Sequence, residues 1–381
     1  MDFPVLGDAD GYTALGKSCA DFIMSAGAAT SSCYDPIRPI GISIYQAIPF
    51  LMTSDTVEQN YITVLLNVAC LIVLIASLLV LFRNLSGETS KGKSWAGRAG
   101  EAVIVAFTLV LCVAYIPVRL SDIQGFAFFV ASIAMISNEN SRTNFGALIA
   151  AGLMAGLSVL MKPNYVASIF FLVLFWFCFD FKGQIEARFK HIFLYLIGVS
   201  ICLIQVALVY NNAGVLWFYD PKAMEIFIPT NAQPYLELIA YTEPVKNAYV
   251  SQLQTELSPL QFTAVKFYEG ISKFYWSVYL GKAPLDVTPV AVTIDSAKLV
   301  FMQVILFIVA LVTLATVFFK NKWISVVCFM TTASTFLTAV MLHTENRYYL
   351  LTKVFFILIL AILLVKALKK LTDRKDDPVK I

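Results

Sequence analysis

The chain has 381 residues, 59% of them hydrophobic and only 14% charged, with a net charge of +3 and a mean hydropathy of +0.76. Soluble domains carry about 25% charged residues, so the composition excludes an ordinary soluble domain and points to an all-α polytopic membrane protein. So small a positive balance gives no sign of a nucleic-acid partner, and none is expected.

Residues 1–60 lack the basic start and long apolar core of a signal peptide. They read as an external N-terminal region with two short amphipathic helices lying in the membrane interface. The first carries Tyr12, Leu15, Cys19, Phe22 and Ile23 on one face; the second follows Arg38-Pro39-Ile40-Gly41 and carries Ile44, Tyr45, Ile48, Phe50 and Leu51. Ahead of the first, Phe3-Pro-Val-Leu-Gly-Asp8-Ala-Asp10-Gly-Tyr12 places two carboxylates in a loop just before the helical pattern. Cys19 and Cys33 are expected as two separate thiols, or as a disulfide if this region is exported. The other cysteines sit in apolar segments, where a thiol packs as a small hydrophobe.

Apolar runs of about 15 to 22 residues follow, near 61–82, 101–118, 123–137, 145–161, 164–179, 191–210, 298–319, 323–342 and 350–368. This is about nine transmembrane helices, in segments 61–210 and 298–381, the latter ending in a basic cytoplasmic tail. Basic loops fix the orientation. Arg83, Lys91, Lys93 and Arg98, then Lys182, Arg188 and Lys190, then Lys320 and Lys322, and finally Lys366, Lys369, Lys370, Arg374 and Lys375 all fall on one side under that count. That side is cytoplasmic, which puts residues 1–60 and the 211–297 segment outside. An exported N-terminus of this length leads us to expect a further transmembrane helix upstream of Met1.

Segment 211–297 is too long for a plain connection. Pro221, Pro229, Pro234, Pro244, Pro259, Pro284 and Pro289 divide it, and an aromatic helical pattern runs through Val265, Tyr268, Ile271, Tyr275, Val278 and Tyr279. It reads either as a helix packed on the membrane domain or as a lid over a site at the membrane surface.

The middles of the expected spans carry no ionisable residue, whereas transporters place such groups near the bilayer midplane. The charges collect at helix ends instead. On the outer side these are Asp8, Asp10, Lys17, Arg38, Arg119, Asp122, Lys162, His343, Glu345 and Arg347. Plain structural roles exist for several. Ser121-Asp122-Ile123-Gln124 fits a capping box, Lys162 before Pro163 fits a snorkelling lysine, and Arg38 fits a headgroup contact. His343-Thr-Glu345-Asn-Arg347-Tyr348-Tyr349 concentrates too many functional groups for a short connecting loop.

Taken together, the Asp8–Asp10 pair, Arg38-Pro39-Ile40-Gly41, Arg119 with Asp122, the helix end Gly152-Leu-Met-Ala-Gly156-Leu-Ser-Val-Leu-Met-Lys162-Pro163, and Glu345-Asn-Arg347-Tyr348 resemble the GT-C membrane glycosyltransferases. The likeness is to the bacterial relatives of protein O-mannosyltransferases and of the lipid A aminoarabinose transferase. The pair here is Asp-Ala-Asp where that branch commonly has Asp-Glu, and the family's first helix is absent.

The resemblance implies transfer of a sugar from a polyprenyl-phosphate donor to an unidentified acceptor at the outer face of a bacterial plasma membrane. Asp8 or Asp10 is the implied base. Arg119, Lys162 and Arg347 are implied for the donor phosphate, with Arg38, Asp122, His343, Glu345 and Tyr348 serving the acceptor or supporting the site. A single displacement would invert the sugar carbon. The donor carries one phosphate and no nucleotide, so no cofactor is required, although the aspartates leave room for a divalent metal. An O-antigen-type polymerase or ligase, a secondary transporter and a non-catalytic scaffold are the competing readings. The aspartate pair argues against the first, the charge-free spans against the second, and the clustered outer charges against the third.

Overall fold

Short polar breaks cut the apolar sequence into helices. The computed structural model describes residues 7–27, 32–87, 94–179, 185–220, 322–341 and 350–373, and every regular element among them is helical. In chain order these are α1 (Gly7–Met24), α2 (Ile40–Met52), α3 (Thr56–Ser86), α4 (Trp95–Cys112), α5 (Asp122–Ser137), α6 (Glu139–Thr143), α7 (Phe145–Met161), α8 (Tyr165–Phe179), α9 (Ile185–Val199), α10 (Leu203–Ala213), α11 (Lys322–Met341) and α12 (Leu350–Asp373). The caps have clear causes. Asp55 accepts from the amides of Val57 and Glu58 to start α3, and Gly87 ends it with φ 75°, a left-handed conformation that costs glycine little. Ser94 caps α4 through Gly97 N, and Asn144 caps α7 through Ala147 N.

The expectation of about nine transmembrane helices is corrected. Among the described residues, four helices are long and apolar enough to cross a membrane: Thr56–Ser86, Trp95–Cys112, Ile185–Ala213 and Leu350–Leu371. The third joins α9 and α10 through a 3₁₀ turn at Ser200–Cys202. The runs at 123–137, 145–161 and 164–179 form α5, α7 and α8, of 16, 17 and 15 residues. Their rise of roughly 22 to 26 Å falls short of a hydrocarbon core of about 30 Å. The bounds of these runs match the helices to within one residue; what is corrected is the reading of runs this short as membrane spans. The run at 298–319 lies outside the described residues, and α11 is described in its side chains only as far as Ser334.

The two expected N-terminal helices are α1 and α2, but the expected apolar face of α2 is divided. Ile44 is 48% and Leu51 40% exposed, Tyr45, Ile48 and Phe50 are half-buried, and Ile42, Ser43, Gln46 and Ala47 are buried. In a protein bathed by lipid, the apolar face has no reason to turn inward. Cys19 and Cys33 are joined as a disulfide, which corrects the expectation of two separate thiols. The bond and a small cluster of Cys19, Ala20 and Ala47, with Phe50 against it, fasten α1 to α2.

α5 is the central helix, with α3 on one side and α7 on the other, and α9 packs on the far face of α7. α12 lies on α4, and α11 on α8. Gly152 lets α7 and α9 approach until a Cβ there would collide with the Tyr195 carbonyl. Basic residues gather at one end. Arg83, at the end of α3, pairs with Glu101 of α4 at 2.7 Å, and Gly100 beside it abuts Phe82 and Val365 of α12. The start of α3, the start of α5, the end of α7 and the start of α8 lie at the other end.

Candidate functional site

The polar groups of that second end include a buried hydrogen-bonded cluster. Asn67, 1% exposed on α3, is its centre. Its Nδ2 donates to the carbonyls of Ile116 at 2.8 Å and Val118 at 3.1 Å, fixing the segment between α4 and α5. Its Oδ1 accepts from Gln124 Nε2 at 2.6 Å and from the Tyr45 hydroxyl at 3.1 Å. One asparagine thus ties α2, α3, α5 and the segment that carries Arg119.

Arg119 is 8% exposed. Its guanidinium lies 4.9 Å from the centre of the Phe50 ring on α2, and its Nη2 donates to Asn60 Oδ1 at 3.5 Å. Burial lowers its pKa from the ordinary arginine value, because desolvation disfavours the cation. Nη1 has no hydrogen-bond partner among the described residues.

Asp122 opens α5. The expected capping box is absent: Ser121 makes no side-chain cap, its Oγ lies 3.4 Å from the Tyr12 hydroxyl of α1, and Gln124 is turned to Asn67. Asp122 Oδ1 accepts from Lys162 Nζ, so the lysine does not snorkel to the interface. The two side chains are 2% and 12% exposed. Asp122 Oδ2 and Gln124 Oε1 are buried without partners among the described residues. Gly125 lets the Tyr165 ring and Lys162 close over α5, as a Cβ there would meet them at 2.8 and 3.4 Å.

α1 is brought onto this network by Arg38. Asp35 Oδ1 accepts from the amides of Ile37 and Arg38 at 2.8 and 2.7 Å, and Asp35 Oδ2 meets Arg38 Nη1 at 3.4 Å. The Arg38 guanidinium then sits 5.0 Å from the centre of the Tyr12 ring and against Gly11. Arg38 is therefore a contact to α1 within the protein. Asp8 and Asp10 fall in the first turn of α1, where the sequence suggested a loop. Their backbone is described and their side chains are not. Carboxylates at a helix start suit the helix dipole.

The structure thus brings Arg38, Arg119, Asp122 and Lys162 to one end of the helices, under the helix that bears Asp8 and Asp10. His343, Glu345, Arg347 and Tyr348 lie outside the described residues, as does the aromatic pattern in 265–279. Among the described residues, no group of three or more His, Cys, Asp and Glu side chains is placed to hold a metal ion. Sequence reasoning missed Gln46, Asn60 and Asn67, gave Gln124 to a capping box, and assigned Tyr12 and Tyr45 to apolar faces. The available signal was the presence of amides inside apolar helices, where an unpaired polar group is costly.

Comparison of the chain with protein-family profiles, with curated proteins and with solved structures finds no match.

Proposed function

We propose that the chain is a membrane glycosyltransferase of the kind it resembles. It moves a sugar from a polyprenyl-phosphate donor to an acceptor at the outer membrane face. The observation that carries this reading is the docking of α1: Tyr12 reaches Ser121, so the helix that begins with Asp8 and Asp10 lies beside Arg119, Asp122 and Lys162. A base for the acceptor hydroxyl and cations for the leaving phosphate are both needed within one site.

The network refines the roles. Lys162 is neutralised by Asp122 and is better suited to holding α7 against α5 than to meeting a phosphate. Arg119, with an unpartnered nitrogen, is the better cation for the donor. Asp8 or Asp10 takes the acceptor proton as its oxygen attacks the anomeric carbon, and the carbon–oxygen bond to the phosphate breaks with inversion. The Cys19–Cys33 bond supports an oxidising, external side for this end. The basic residues around Arg83 and Lys370 support a cytoplasmic side for the other.

Transfer of radiolabelled sugar from a panel of polyprenyl-phosphate sugars in membranes tests the reading, with Asp8→Asn and Asp10→Asn alongside the wild type. One donor is consumed by the wild type, and one aspartate variant is inactive at normal expression. Turnover of no donor, or full activity in both variants, would overturn it.

A further inference from the structure

The packing of α1 on α2 encloses a side chain that the transfer chemistry does not use. Gln46 of α2 is 1% exposed, and neither its Nε2 nor its Oε1 has a hydrogen-bond partner among the described residues. Both atoms are unpartnered, so the observation stands whichever way the amide is turned. A buried amide that pairs with nothing is costly, and an apolar side chain of that size would avoid the cost.

Its neighbours place it in the site. Gly16 of α1 packs on the Gln46 backbone, where a Cβ would come within 2.5 Å of the carbonyl oxygen. One turn earlier on α1, Tyr12 reaches Ser121, next to Asp122. One turn later on α2, Phe50 lies under the Arg119 guanidinium. Gln46 is bracketed by these two contacts.

The unpartnered buried atoms of this end identify the chemistry of what they would meet. Gln46 Oε1, Asp122 Oδ2 and Gln124 Oε1 can only accept hydrogen bonds, and Gln46 Nε2 and Arg119 Nη1 can only donate. A phosphate offers acceptors alone, so it would leave the three oxygens unpaired and would be repelled by the carboxylate. A polyol offers both donors and acceptors from each hydroxyl and satisfies the set. We propose that Gln46 reads two neighbouring hydroxyls of the sugar, one with Nε2 and one with Oε1, and so selects which sugar the enzyme accepts. This rests on the transferase reading and adds a specificity-determining residue to it.

The test uses the full chain in detergent, with citronellyl phosphate and its mannosyl, glucosyl, galactosyl and N-acetylglucosaminyl derivatives as probes. Affinity is read from tryptophan fluorescence, and the unfolding midpoint is recorded without ligand. The wild type binds at least one sugar-bearing probe roughly tenfold more tightly than citronellyl phosphate, the contribution of about one good hydrogen-bonded pair. In Gln46→Met this preference falls below about twofold, affinity for citronellyl phosphate is unchanged and the ligand-free midpoint holds or rises. Gln46→Glu, which lacks the donor, loses the same preference.

Persistence of the preference in Gln46→Met, or equal binding of bare and sugar-bearing probes by the wild type, would overturn the assignment and leave the transferase reading standing. A midpoint several degrees lower in Gln46→Met would also overturn it, because the amide would then be held by the protein itself. Failure of the wild type to bind any probe would remove the transferase reading and this assignment with it.

Discussion

Lys162 donates a hydrogen bond to Asp122 across 40 residues of sequence, joining the end of α7 to the start of α5. The Asp122 side chain is buried and that of Lys162 is largely covered, so the two charges are coupled. Removing the lysine leaves the carboxylate in a medium that solvates it poorly, at a cost of about 3–5 kcal/mol. Asp122→Asn and Lys162→Met should each lower the thermal midpoint in detergent, and the double variant should recover most of the loss. Additive losses in the double variant would show that the two charges are not coupled.

The Cys19–Cys33 bond spans 14 residues. By loop-closure entropy a bond of this span contributes about 3 kcal/mol. Protein purified without reductant should take up maleimide on Cys19 and Cys33 only after reduction, read by mass spectrometry of the peptides. The Cys19→Ala, Cys33→Ala double variant should expose α1 to limited proteolysis while α3 to α9 resist it. Labelling of both cysteines before reduction would show that the bond does not form in the cell.

Much of the helical content was legible, because runs such as 61–82 and 350–368 are long and predominantly apolar, with no proline or glycine to break them, and become α3 and α12. The number of membrane-crossing helices was not. The breaks at Asn138, Asn144 and Lys162-Pro163 were legible and end or cap the helices, but the pieces between them, of 15 to 17 residues, are short for a span. The four charged residues of the network that the structure describes were legible as charges at helix ends. The amides that organise them were not, because Gln46 and Asn67 read as dilution of an apolar helix until their partners are seen, and Gln124 read as part of a capping box although it turns to Asn67. The direction in which α2 faces was also hidden, since a hydrophobic pattern alone does not say whether lipid or protein covers it.

Asn67 makes four hydrogen bonds, to Ile116 O, Val118 O, Gln124 Nε2 and Tyr45 Oη. Asn67→Leu keeps the volume and leaves the Ile116 carbonyl and Gln124 Nε2 without their partner, while the Val118 carbonyl still accepts from Leu120 N and the Tyr45 hydroxyl still meets Cys70 Sγ; the loss should destabilise the protein by about 2 kcal/mol or more. Asn67→Asp keeps the acceptor and loses the two donor bonds. It should cost stability as well, and should loosen the segment that carries Arg119. A cysteine placed at Val118 should then react with maleimide faster in either variant than beside native Asn67. Unchanged reactivity together with an unchanged midpoint would show that Asn67 does not hold the segment.

Arg119 combines a cation, a planar face over Phe50 and a hydrogen bond to Asn60, leaving Nη1 available. If it stabilises the leaving phosphate, its contribution is largest when that phosphate gains charge in the transition state. Arg119→Met should therefore reduce kcat/KM for transfer by about 100-fold, with most of the loss in kcat. Arg119→Lys should restore little, because an ammonium cannot stack on Phe50, reach Asn60 and present a second nitrogen at once. Steady-state transfer kinetics at two salt concentrations check this. A variant that changes only the salt dependence, with kcat intact, would make Arg119 a surface attractor for the anionic donor and take it out of the reaction.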